Sequence, residues 1–202
     1  MNIYTYVNEM EEAAVKVFEA LNADTEEIIG LRKTQSFHQH EAEEWIKSSM
    51  TIGGPFGDYA DPQREWFTAM RHYDKIEALE KEVGEQIMAR AMSLGALSGT
   101  ILQFGKQGLS LVYGAKAKVP AGRMVGSQPL KEIIWEARNH YMHWEEENPK
   151  PACVACMDKL NVEFQDRVHD YRTANVSAEV LEILGWDNFD SFADDLRTFD
   201  GP

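Results

Sequence analysis

The chain has 202 residues, of which 44% are hydrophobic and 27% charged, with a formal net charge of −14. That balance is ordinary for one soluble globular domain and excludes a general nucleic-acid coat protein, whose surface must concentrate Lys and Arg. No run of about 20 apolar residues exists to span a membrane, and two cysteines do not make a disulfide framework.

At this size folding buries roughly 70% of the extended chain's surface, so neither a metal nor a disulfide is needed as a staple. The stretch MNIYTYVNEMEE carries acids where a secretory signal has a basic start and an apolar run, so a cytoplasmic setting is expected. The charge is uneven. From Gln86 to Lys131 there is no Asp or Glu, and Arg90, Lys106, Lys116, Lys118, Arg123 and Lys131 contribute +6, which leaves −20 for the rest. This predicts a local basic surface, with a buried helix carrying basic ends as the plainer alternative.

In chain order the pattern is helical almost throughout. Val7, Met10, Ala14, Val17, Phe18 and Leu21 fall near helical spacing within Tyr4 to Leu21. Asp24 is the expected N-cap of a second helix running towards Met50. TIGGPFGDYADP, residues 51–62, breaks the pattern. With no Lys-Ser or Lys-Thr after its glycines it is not a phosphate-cradling loop, and it reads as a long connection over a binding face.

Helix is expected again from Gln63 to about Tyr113, with a break near Gly84. Gly95, Gly99, Gly105 and Gly108 in its second half permit close helix approach, at about 1 kcal/mol each in propensity. AKAKVPAGRMVGSQP reads as a loop. Ser127 is the expected cap, with Pro129 in the first turn, of a helix from about Gln128 to Glu147 that stops at NPKP. Another is expected over Ala152 to Tyr171, then short ones over Ser177 to Leu184, ending at Gly185, and Phe189 to Phe199. No alternating pattern exceeds four residues. The expected class is all-α, a single domain over 1–202 built as a bundle of four or five main helices with extra short ones.

The helix over 128–147 holds EARNHYMHWEE. Successive residues advance about 100°, so with Arg138 at zero Ile133, Ile134, Ala137, Tyr141 and Trp144 fall between about 220° and 320°, the core face. Arg138, Met142, Asn139 and His143 fall at about 0°, 40°, 100° and 140°, with Trp135 near 60° among them. The second face mixes Trp and Met with Arg, Asn and His, which one monomer core does not easily absorb. A partner subunit or a substrate cleft would explain it.

Arg138-Asn139-x3-His143 resembles the signature of the HEPN (higher eukaryote and prokaryote nucleotide-binding) family: an Arg, a polar residue, and a His a few positions on, late in an all-α bundle. The resemblance covers about residues 70–171, with N-terminal helices over 1–50 and short C-terminal helices over 177–199 outside it. It implies an up-and-down helical bundle and a metal-independent endoribonuclease without a cofactor. Such a protein is a homodimer whose two motifs face each other across a cleft that takes RNA, in a toxin or phage-defence role. His143 would do the proton work, Arg138 would meet the charge building on the phosphoryl oxygens, and Asn139 would orient either. Lys116, Lys118, Arg123 and Lys131 are the candidate RNA-binding cations. An antitoxin or regulatory protein is a further expected partner. Trp144 and Glu145 follow His143 where the subfamily paired with a nucleotidyltransferase antitoxin has a Tyr, so that pairing is not expected. The alternative within the family is a non-catalytic dimer that binds nucleotide or a protein.

A rival reading takes His140, His143, Cys153 and Cys156 as tetrahedral zinc ligands. His38, His40, Glu41 and Glu44 form a second polar cluster, expected as a solvated acidic face. His72 and His169 have no partner visible in the sequence. Trp45, Trp66, Phe67 and Trp186 are expected in the core or a dimer contact rather than as platforms for bases.

Overall fold

The computed structural model describes residues 1–49, 62–146 and 148–200. It is all-α. Among the described residues six α-helices run α1 Ile3–Ser49, α2 Pro62–Tyr113, α3 Leu130–His143, α4 Pro151–Glu163, α5 Ser177–Leu184 and α6 Phe189–Arg197. Short 3-10 turns cover Lys116–Lys118 and Thr198–Asp200. A two-stranded antiparallel ribbon, β1 Met124–Val125 and β2 Gln128–Pro129, pairs Met124 with Pro129 and Val125 with Gln128. Among the described residues no helix is long and apolar enough to cross a membrane. The connection expected at 51–62 lies outside the described residues, apart from Pro62, which opens α2.

The chain divides into two compact units, Met1–Ala23 with Ser93–Pro202, and Asp24–Met92. In the first, Val7, Ala14 and Phe18 of α1 belong to one buried cluster with Ile101 and Leu109 of α2 and Ile133 and Ile134 of α3. Met157 and Leu160 of α4, with Phe192 and Leu196 of α6, complete it. The small residues of α2 serve close approach. A β-carbon on Gly99 would enter the Tyr141 ring, and one on Gly108 the Tyr6 ring. Tyr6 spans the same seam and donates its hydroxyl to the Phe104 carbonyl at 2.8 Å.

The second unit is a hairpin of the later part of α1 and the earlier part of α2. Ile28, Ile76 and Val83 are its buried apolar residues among those described. Arg90 closes one end, donating to Asp24 at 3.0 Å and Glu27 at 2.9 Å.

Several expected boundaries are corrected. Asp24 caps nothing, because its carboxylate is spent on Arg90, and α1 continues through it to Ser49. Gly84 does not break α2, since open space around it leaves only its modest propensity deficit. Ser127 is not the cap of α3. It lies in the β1–β2 turn with its N–H on Glu163 Oε2 at 2.9 Å, and Pro129 holds the cap position instead. α3 ends at His143 rather than Glu147. α4 stops at Glu163 rather than Tyr171, because Gln165 and Asp166 take left-handed φ values of 57° and 60°. The two short C-terminal helices stand as expected. Gly185, at φ 71°, ends α5, and Asn188 opens α6 with a capping box to Ser191.

Candidate functional site

α3 carries the Arg-Asn-His pattern on a helix half-sunk in the core. Ile133, Ile134 and Ala137 are buried as expected, and so are Glu136 and His140. Buried polar groups need partners, and each of these has one.

Glu136 accepts from Lys116 Nζ and, through its second oxygen, from Asn139 Nδ2 at 3.2 Å. Lys116 also bonds Glu132 at 2.7 Å. Burial alone would lower the Lys116 pKa, but the two carboxylates outweigh it and hold the ammonium above its ordinary value. His140 Nε2 lies 2.6 Å from the Tyr171 carbonyl. A carbonyl can only accept, so Nε2 carries the proton there. Burial pushes the His140 pKa down against that bond, keeping the ring neutral at physiological pH.

His143 ends α3 and is half-exposed. Its Nδ1 lies 2.6 Å from Glu146 Oε1 in the turn that follows. The carboxylate accepts, so Nδ1–H faces it, and Nε2 is the nitrogen turned away from Glu146. His143 and Asn139 line one shallow, open pocket with a cavity of only about 20 Å³, together with His140, Glu146, Pro149, Lys150 and Cys153.

Arg138 is not in that lining. Five residues from His143, it points about 140° away around the helix, and its Nε donates to Gln103 Oε1 of α2 at 2.6 Å. One chain therefore brings Asn139 and His143 together and sets Arg138 on the neighbouring face. On that face Trp135 lies beneath the Lys106 ammonium, 5.0 Å from the ring centre, and Met142 is 51% exposed.

The four candidate RNA-binding cations do not form one surface of free charges. Arg123 forks onto Asp195 at 2.6 and 2.7 Å and reaches the Leu184 carbonyl at 2.6 Å. The Asp195 carboxylate raises the Arg123 pKa, against the smaller effect of burial. Lys131 donates to the Val119 carbonyl at 2.7 Å, and Lys116 is held as above. Lys118 is exposed.

The zinc reading is corrected. His140 is turned to Tyr171, His143 to Glu146, and Cys153 Sγ to the Glu136 carbonyl at 3.6 Å. Among the described residues no group of three or more His, Cys, Asp or Glu is placed to hold a metal. Burial pushes the Cys153 thiol up to about 11 and the Cys156 thiol up to about 12.

In the hairpin unit, Glu41 stands between two histidines, with His38 Nδ1 at 3.8 Å and His72 Nε2 at 3.9 Å. Neither approach is a hydrogen bond, and the His72 ring lies 4.3 Å from Trp45, a neighbour that the sequence did not reveal. Glu44 pairs with Lys47. His169 is exposed and pairs with Asp170 at 3.0 Å. Trp186 is core, Phe67 is exposed, and the Trp66 side chain is outside the described residues.

Sequence reasoning missed Gln103, Glu136, Glu146 and Lys150. Glu146 is three residues past His143, a spacing that could have paired them. Lys150 sits in NPKP, where helix termination hid it. Gln103 had no signal at all. No family model, no curated protein and no solved structure matches the chain.

Proposed function

We propose that the chain is a metal-independent endoribonuclease of the HEPN kind, acting as a homodimer on RNA. The observation that carries this reading is the placement of His143. Glu146 holds Nδ1, which leaves Nε2 as a proton acceptor at the edge of a pocket shared with Asn139.

In the reaction, Nε2 of one His143 takes the proton of a 2′-hydroxyl as that oxygen attacks the adjacent phosphorus. The bond from phosphorus to the 5′-oxygen breaks, and the second copy's imidazolium returns a proton to the leaving oxygen. The products are a 2′,3′-cyclic phosphate and a 5′-hydroxyl. Arg138 is held through Nε alone, so its two terminal nitrogens can fork onto the phosphoryl oxygens as charge builds. Because Arg138 and His143 occupy different faces of α3, a composite site from two copies suits this chemistry better than one chain does.

The test is cleavage of RNA by purified full-length chain in EDTA. His143→Ala and Arg138→Ala are each expected to lower the rate by roughly 10²-fold or more, with cyclic phosphate ends in the wild-type product. Full cleavage by either variant overturns the assignment.

A second reading is a non-catalytic dimer that binds nucleotide or a protein. Its support is specific: Lys116, Arg123 and Lys131 are consumed by internal partners, which thins the positive surface expected for RNA. Nucleotide binding by wild type without cleavage would favour it.

A further inference from the structure

The pocket beside His143 contains one cation to which the Arg-Asn-His pattern assigns nothing. Lys150, exposed in the segment before α4, lines the pocket with Asn139 and His143, and among the described residues its ammonium has no ion-pair partner. We infer that Lys150 binds the phosphate of a ribose 3′-phosphate unit, while His143 Nε2 accepts from the neighbouring 2′-hydroxyl, with Asn139 beside it on the same helix face. This rests on the ribonuclease reading and adds to it the binding cation, the substrate feature recognised and the atoms that recognise it.

The orientation of Asn139 follows from its neighbour. The Glu136 carboxylate can only accept, so the amide nitrogen must face it and the carbonyl oxygen is left as the free acceptor. Glu136 is itself buried and anchored by Lys116, so it positions Asn139 without touching substrate. His143 is oriented in the same way by Glu146, and that carboxylate is matched to the imidazole rather than turned on an incoming anion.

The pocket edge therefore offers two lone pairs and one ammonium. A vicinal hydroxyl and phosphate present one donor, which the His143 lone pair takes, and one anion, which the ammonium takes. DNA lacks the donor. The other cations near α3 do not compete for the role, since Lys116, Arg123 and Lys131 are occupied and Arg138 lies outside the pocket.

The test uses the full chain and two probes, adenosine 3′-monophosphate and its 2′-deoxy analogue, followed by calorimetry and by histidine side-chain NMR. Wild type is expected to bind the ribonucleotide several-fold more tightly than the deoxy form. Lys150→Ala should weaken it about tenfold, Lys150→Arg should restore most of the loss, and Lys33→Ala, an exposed lysine of the hairpin unit, should leave it unchanged. In RNA cleavage Lys150→Ala should raise KM with kcat within about twofold, whereas Arg138→Ala lowers kcat. The substitution removes an exposed side chain, and an unchanged circular dichroism spectrum will show that the fold is intact.

Absent ribonucleotide binding, equal binding of the two probes, or wild-type affinity in Lys150→Ala each overturn the inference. The two proposals fail separately. Lys150-dependent binding without cleavage keeps this inference and removes the ribonuclease, and cleavage with unchanged KM in Lys150→Ala does the reverse.

Discussion

Arg123→Ala tests whether this arginine holds the fold or the substrate. Its guanidinium makes two charge-assisted bonds to Asp195 and a third to the Leu184 carbonyl. Asp195 is buried and retains one neutral donor, Trp186 Nε1 at 2.7 Å, once the arginine is gone. Breaking a fully buried pair costs about 3–5 kcal/mol. Here the arginine side chain is 39% exposed, so water reaches the vacated site and the figure falls to about 2–3 kcal/mol. For a chain of this length that is a drop in Tm of about 5–10 °C. Urea denaturation followed by tryptophan fluorescence reports it directly, since the Trp186 indole is bonded to the same carboxylate. In an Asp195→Asn background the same substitution should cost less than about 1 kcal/mol, because no charge is left stranded. A loss below about 0.5 kcal/mol in the wild-type background, or strict additivity with Asp195→Asn, refutes the reasoning. So does loss of nucleotide binding at full stability, which would return Arg123 to the substrate.

Two further outcomes follow from packing and burial. Gly99→Ala places a methyl group in the Tyr141 ring and should destabilise by about 1–3 kcal/mol in urea, whereas Gly84→Ala faces open space and should stabilise by up to about 1 kcal/mol. Equal signs for the two would refute the close approach of α2 and α3. Cys153 and Cys156, raised to about 11 and about 12, stay protonated at pH 8, so a thiol reagent should label them slowly in the native chain and fast in denaturant. Their raised values also set a sign. The unfolded thiols lose protons from about pH 9 while the folded ones keep them, so stability should fall as pH rises beyond 9 and be unaffected by them below it. Flat stability from pH 9 to 10.5 would contradict this.

What the sequence makes legible is local. Gly185 and Asn188 are neighbours of the helices they bound, so α5 and α6 could be read almost to the residue. Asp24 looks like a cap by every local rule, yet its partner Arg90 is 66 residues away and decides the matter. The end of α4 has no Gly or Pro at the break, and two ordinary residues adopt the left-handed conformation instead. The two-residue strands are too short to show alternation. In the site, the helical wheel gathers Arg138 and His143 on one broad second face, which the structure divides. It cannot show that Gln103, 35 residues earlier, holds one of them, or that Lys150 comes in from a helix stop.

The first unit is sewn from the two extremes of the chain. Phe18 meets Phe192, ring centres 6.1 Å apart, and the hairpin unit of residues 24–92 intervenes between its two segments. A ribosome making this chain releases α1 long before anything exists for its apolar stripe to cover. Closing a flexible loop of that length would cost about 4 kcal/mol in entropy. If the hairpin zips up first, Arg90 is already clasped to Asp24 and Glu27, and most of that penalty is gone before α6 emerges. The hairpin then serves the newborn chain as its own splint.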